Sequence, residues 1–200
     1  LWAGQLEAVE PLLQEIAAQP DHPLFVDAHA AAMRAFVASL FGDLPATRTY
    51  AQQALEIAVP PAGQVDDDST MQIAHGSALI ALADSYRLRG DLATAVTYYE
   101  AAIPLNLQIK SLYAALGGIW DLGEIAQARG QRQRAADLYR HGLTVAQDFQ
   151  FAQGRGEALV THFIHLQLGA VLYQANQLAE AAHHLDRAVQ LYALSGVLDL

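Results

Sequence analysis

The stretch Leu82-Ala-Asp-Ser-Tyr-Arg-Leu-Arg-Gly90-Asp-Leu-Ala-Thr-Ala-Val-Thr-Tyr-Tyr-Glu-Ala-Ala102 decides the fold. Gly90 is the residue type that ends a helix in a left-handed conformation, which side chains with a Cβ resist. Before it, Leu82, Ala83 and Tyr86 recur at three- and four-residue spacing; after it, Leu92, Ala95, Tyr99 and Ala102 do the same. That spacing marks one face of a helix on each side of the turn. Small residues at fixed places on both faces let the two backbones approach closely. The stretch therefore reads as helix, tight turn, helix.

The phrase recurs along the chain. Gly130 leads to Ala135, Tyr139 and Gly142, with Arg132 where leucine is expected. Asn176-Gln-Leu178 leads to Ala181, Leu185 and Ala188, Gly42-Asp-Leu44 to Thr47, Ala51 and Ala54, and Gly4-Gln-Leu6 to Val9, Leu13 and Ile16. Leu122-Gly123 and Leu168-Gly169 precede their turns as Leu82-Ala83 precedes Gly90. The anchors at 4, 42, 90, 130 and 176 are 38, 48, 40 and 46 residues apart. A fixed motif at such steps predicts stacked helix pairs, each burying its apolar face on its neighbours. About four to five units follow, over approximately 1–19, 22–59, 69–108, 109–148 and 152–195, forming a single repeat domain across 1–200. Expected helices cover about 3–18, 22–41, 44–59, 69–89, 92–108, 109–129, 132–148, 152–175 and 178–195. Pro20-Asp-His-Pro23 is a break, and Pro60 to Ser69 is the longest loop, with Ser69 placed to cap the helix after it. Pro104 is expected to kink or shorten its helix.

These residues resemble the tetratricopeptide repeat, whose signature sets Leu-Gly and an aromatic in the first helix, Gly at the turn, and Ala, an aromatic and Ala in the second. The steps exceed that repeat's usual length. With His165-Leu-Gln-Leu-Gly-Ala-Val-Leu-Tyr-Gln-Ala-Asn-Gln-Leu-Ala-Glu-Ala-Ala-His-His-Leu185 and Leu122-Gly-Glu-Ile-Ala-Gln-Ala-Arg-Gly130, the chain resembles the sensor domain of MalT-type, LuxR-family, ATP-dependent transcriptional regulators. The resemblance implies an all-α, right-handed solenoid of helical hairpins. It also implies a larger parent protein with an amino-terminal nucleotide-binding switch and a carboxy-terminal helix-turn-helix domain, so ATP belongs to the parent and no cofactor to this chain. In the family's namesake the repeat domain takes a malto-oligosaccharide inducer. Leu1 in place of an initiating methionine, and apolar ends at Leu1-Trp2 and Val197 to Leu200, read as those of a fragment.

Composition narrows the functions. Eleven basic residues, of which Lys110 is the only lysine, stand against 21 acidic ones, for a formal charge of −10. Such a chain lacks the positive surface that nucleic acid or an anionic membrane requires. Without cysteine it can form neither a disulfide framework nor a cysteine-ligated zinc site, and this fits a cytoplasmic protein. No apolar run approaches the ~18 residues of a membrane span. Neither a Gly-x-x-x-x-Gly-Lys phosphate loop nor a Gly-x-Ser-x-Gly elbow is present. His162 and His165 share a helical spacing but lack a zincin glutamate; they, and adjacent His183 and His184, read as ordinary polar residues. Asp66-Asp67-Asp68 lacks the alternating ligands and glycine of a calcium loop. No metal and no catalysis are expected.

The functional expectation is geometric. In a solenoid of helix pairs the first helices line the concave surface. Counting back from each turn in tetratricopeptide register gives His29, Ala32, Phe36 and Ser39, then Ser77, Ile80, Asp84 and Arg87, then Gly117, Trp120, Glu124 and Gln127, and finally Phe163, Leu166, Ala170, Tyr173 and Gln174. Aromatic faces at Phe36, Trp120, Phe163 and Tyr173 suit the C–H faces of a sugar or an apolar side chain. Asp84, Arg87, Glu124 and Gln127 offer directional hydrogen bonds to a small polar effector or a peptide, though the same residues can pair among themselves on a wetted face. Trp120 suits either the groove or the hairpin interior. Tyr98, Tyr99 and Tyr139 are expected to pack into the next unit, and Tyr113, Phe149 and Phe151 to be core. A small-molecule effector, a protein or peptide, and other domains of the parent are the expected partners.

Overall fold

In a computed structural model of the chain, residues 9–17, 23–59, 69–153 and 159–194 are described. Among them there are nine α-helices, one short 3-10 turn and no strand. In chain order they are α1 (Val9–Ala17), α2 (Leu24–Leu40), α3 (Leu44–Ala58), α4 (Ser69–Leu88), α5 (Leu92–Gln108), α6 (Leu112–Ala128), α7 (Arg132–Gln153), α8 (His162–Gln174) and α9 (Leu178–Leu194); the 3-10 turn, Leu159–Thr161, precedes α8. The chain divides into two compact units, Leu1–Ser111 and Leu112–Leu200.

The first unit holds the hairpins α2–α3 and α4–α5. Here α2 packs on both α3 and α4, and α3 on α4. Its core is built largely from alanines, with Ala28, Ala31, Ala35, Ala51, Ala54, Ala74 and Ala78 buried around Leu82. Small side chains are what such close helix approach demands. The second unit holds the hairpins α6–α7 and α8–α9, with α7 packed on α8. Leu116, Ile119, Ile164, Leu168 and Leu172 fill it. Both units are the helical hairpins of an all-α, tetratricopeptide-like solenoid.

Every anchor in the described residues turns as expected. Gly42, Gly90 and Gly130 have φ of 74°, 82° and 73°, and Asn176 has φ of 59°. Each closes the same pair of bonds. At Gly90, its own N–H donates to Arg87 O at 2.9 Å and the Asp91 N–H donates to Tyr86 O at 3.0 Å. This double bond set satisfies carbonyls that a helix end leaves bare. Asp43 and Asp91 then start the next helices, accepting from the Ala46 and Thr94 amides at 3.0 and 3.2 Å.

Three boundaries differ from the sequence reading. A fifth left-handed turn sits at Lys110, φ 60°, where Lys110 N–H donates to Leu107 O and Ser111 N–H to Asn106 O. Helix α6 therefore begins at Leu112 rather than 109. Helix α7 continues to Gln153, since the sequence after Gly142 holds no breaker before Gly154, and α8 starts ten residues later than position 152. Nor is α5 shortened at Pro104. An interior proline costs about 3 kcal/mol; buried Ala102 and Asn106, the latter donating to Ala102 O at 2.9 Å, hold the last turn in place. The Pro60 to Asp68 loop, Pro20 to His22, Phe151's side chain, any Ser69 side-chain cap and both apolar ends lie outside the described residues.

Lysine in a left-handed turn carries a steric cost of about 1–2 kcal/mol, offset in part by the larger entropy that glycine loses on folding. Lys110→Gly should raise stability by about 0.5–1 kcal/mol, and Gly90→Ala should lower it by about 1 kcal/mol. Urea denaturation followed by circular dichroism reads both.

Candidate functional site

The candidate residues fall into two sets, one in each unit. In the first, α2 and α4 carry them. The Phe36 ring is 49% exposed, with Met33 and Leu40 exposed on the same helix. Ser39 donates to the Phe36 carbonyl at 2.7 Å and the His29 ring lies 3.0 Å from the Phe25 carbonyl, so both serve their own helix. Ala32 is buried; Ser77 and Ile80 are partly exposed.

Asp84 and Arg87 are engaged from within their hairpin. The Tyr99 hydroxyl, reaching across from α5, donates to Asp84 Oδ1 at 2.5 Å and accepts from Arg87 Nε at 3.1 Å. Arg87 Nη2 also lies 3.5 Å from Asp84 Oδ1. In the second unit the arrangement repeats. Gln127 Nε2 donates to the Tyr139 hydroxyl at 2.7 Å, which donates to Glu124 Oε1 at 3.2 Å. Both tyrosines are fully buried. Burial first, and then Glu124, push the Tyr139 phenol well above its ordinary range, so it stays protonated and keeps donating. These tyrosine hydroxyls thus turn into their own hairpins, not into a neighbouring unit as expected. Tyr98 likewise stacks on Tyr86 of its own hairpin, ring centroids 5.5 Å apart.

The chain itself shows why these polar pairs exist. Six and three residues before each turn stand Phe36 and Ser39, Asp84 and Arg87, Glu124 and Gln127, and Ala170 and Tyr173; nine after it stand Ala51, Tyr99, Tyr139 and Leu185. Polar pairs occur where the second helix supplies a tyrosine. A buried hydroxyl left unpaired would cost about 1–3 kcal/mol, and the pair supplies its donor and acceptor. The fourth hairpin, with Leu185, has no hydroxyl to satisfy.

The second unit keeps the more open residues. The Tyr173 ring is 65% exposed and Leu166 50%, with Gln174 exposed beside them and Ala170 partly exposed. Partly buried Trp120 meets Phe163 edge-on at 5.6 Å. Its indole Nε1–H is buried with no acceptor among the described residues. Trp120 therefore bridges two first helices, neither fully core nor fully open. Gly117 has nothing within 4 Å of the place a Cβ would occupy. Tyr113, expected in the core, is 74% exposed on the first turn of α6; Phe149 is partly buried.

The histidines separate. His162 lies against Tyr192, ring centroids 5.5 Å apart, whereas His165 meets His184 across the hairpin, Nδ1 to Nδ1 at 2.8 Å. The sequence reading missed this pairing, and in-register comparison of the hairpins would have found it: His165 and His184 stand where the third hairpin has Ile119 and Leu138. Also unforeseen is a groove of about 430 Å³ in the first unit, lined by Val9, Leu13, Val37, Phe41 and Tyr50 with the Arg34–Glu10 ion pair. No group of three or more potential metal ligands gathers among the described residues, and no described helix is long and apolar enough to cross a membrane.

The hairpin register and its Gly and Asn turns agree with the comparison to known families. The profile of the MalT-like TPR region matches residues 28–194. The chain belongs to this family. No curated protein matches the MalT-like chain at a significant level. Among solved structures it is similar to BtubC (BKLC) from P. vanneervenii, with a TM-score of 0.72 and 16% identity over 98% of this chain and 76% of that one. A Rap protein complexed with competence and sporulation factor gives 0.71 at 13% identity, over 94% of this chain and 48% of that one. The nearly identical TPR-like repeats of a putative kinesin light chain from Podosopora anserina give 0.61 at 18% identity, covering 96% and 86%. The MalT-like chain thus spans about half the length of the Rap chain. At these identities the likeness is one of fold.

Proposed function

We propose that this MalT-like TPR region is a non-catalytic interaction scaffold in which the first-helix face of a unit takes an apolar-rich peptide or helix of a protein partner. The observation that carries this is which candidate side chains remain open. Asp84, Arg87, Glu124 and Gln127 hold the buried tyrosine hydroxyls, so a ligand must compete for them. Phe36, Met33, Leu166 and Tyr173 are exposed and mainly apolar. Apolar anchors at helical spacing suit a side chain from a partner better than a cluster of sugar hydroxyls. Within a MalT-type parent this contact is the input that controls an ATP-dependent switch and a DNA-binding domain, and such a regulator works in the cytoplasm.

A small-molecule effector is the second reading, favoured by one observation. The buried, acceptor-less indole N–H of Trp120 beside Phe163 offers a stacking face with one directional donor. The two readings part experimentally. A peptide array should give binders whose affinity falls about tenfold or more in Phe36→Ser or Tyr173→Ser, while circular dichroism stays unchanged. For the second reading, a sugar and metabolite panel should give a hit that raises Tm by about 5–10 °C at 100 times Kd, and Trp120→Phe should abolish it. A metabolite hit with an empty peptide array would overturn the first reading.

A further inference from the structure

We infer that the His165–His184 pair is a proton-sensitive latch that holds α8 against α9 near neutral pH and releases them in acid. Its geometry is that of one shared proton. The nitrogens are 2.8 Å apart while the ring centroids are 5.0 Å apart, so the rings meet nearly head on, an N–H of one facing the lone pair of the other. A second proton on this pair sets two N–H groups against each other at that distance, and two imidazolium charges with them.

The hairpin does not need histidine at these places. The in-register residues are Leu79 and Tyr98 in the second hairpin and Ile119 and Leu138 in the third. His165 keeps the burial of its counterparts, being 6% exposed against 8% for Leu79 and 1% for Ile119. Imidazoles stand where the second and third hairpins carry apolar or aromatic side chains. What they add is a response to pH.

The surroundings set its direction. From α9, His183 lies with its ring 5.2 Å from that of His184, and Glu180 Oε1 is 4.0 Å from His184 Nε2. From α7, Arg140 bonds Glu180 at 3.0 Å and lies 3.5 Å from Asp137. From α8 itself, His162 stands one turn before His165. Burial, then His165 and His183, then Arg140, oppose a charge on His184, and Glu180 alone favours it; the balance holds its pKa down to about 4. In the unfolded chain it returns to about 6.5. The folded-state value is the lower one, so the contribution to stability is fully present above about 6.5 and is lost as pH falls towards 4.

Two measurements test the latch. In the intact chain, the NMR titration of His184 should place its midpoint well below 6.5, with Nδ1 tautomer shifts marking the shared proton; an ordinary midpoint would overturn the proposal without any variant. The double variant His165→Ile with His184→Leu copies the third hairpin and should fold. Between about pH 7.5 and about pH 5 the parent should lose several degrees more of Tm than this variant. His75, whose pKa burial also lowers, is present in both and cancels. Equal losses would overturn the latch.

Discussion

Gly123→Ala is expected to lower the stability of the second unit by about 1–2 kcal/mol, although alanine is the better helix former. A Cβ at position 123 would stand 2.3 Å from Tyr139 Cε1, 2.5 Å from Cζ and 2.9 Å from the hydroxyl oxygen. No contact of that length survives, so the ring has to move. It is fully buried and its hydroxyl is bonded to both Gln127 and Glu124, so displacement stretches those bonds as well. Overpacking of this kind costs about 1–3 kcal/mol and occasionally more, and the gain from replacing a helical glycine returns only about 0.5–1 kcal/mol. Gly117, six residues earlier in α6, has open space at its Cβ, and Gly117→Ala should therefore stabilise by that same 0.5–1 kcal/mol. Two identical substitutions in one helix thus have opposite signs. Guanidinium denaturation of both variants checks the contrast, and a stabilised Gly123→Ala would show that Tyr139 is not anchored as described.

That contrast marks how far the sequence could be read. Turn positions were legible because a left-handed backbone selects glycine or asparagine, and Gly42, Gly90, Gly130 and Asn176 all adopt it. The turn at Lys110 was not, because lysine carries no preference for that conformation; the bonds from Lys110 and Ser111 to the end of α5 impose it. Along the first helices Phe36 and Tyr173 are exposed and Trp120 is half-buried, whereas Ala32, read in the same register, is buried. The partners of the register positions were less legible. Asp84 and Tyr99 lie 15 residues apart, and whether a hydroxyl on α5 reaches a carboxylate on α4 depends on how closely the helices cross, which the alanine at 83 and glycine at 123 decide. Aligning the hairpins on one another recovers the partnership, because tyrosine and its polar pair appear and disappear together. The same alignment exposes His165 and His184 as a departure from an apolar pair.

Truncating the tyrosine at the centre of that partnership has the largest expected effect. Tyr139→Ala should destabilise by about 3–5 kcal/mol, the range for emptying a buried aromatic site, and Tyr99→Ala by a similar amount. Tyr139→Phe should cost only about 1 kcal/mol, because Gln127 Nε2 already lies 3.3 Å from Glu124 Oε1 and the two can satisfy each other once the hydroxyl is gone. The informative variant copies the fourth hairpin, where Leu185 stands opposite Ala170. Glu124→Ala alone leaves the buried Tyr139 hydroxyl without its acceptor, whereas Tyr139→Leu with Glu124→Ala removes donor and acceptor together. Replacing both partners by apolar groups is far less costly than orphaning one. The double variant should therefore recover about 1 kcal/mol relative to the sum of the single ones, a coupling measurable by a double-mutant cycle in urea. Strict additivity would mean that Glu124 serves the groove rather than the tyrosine, and would return the polar pairs to the inventory available to a polar ligand.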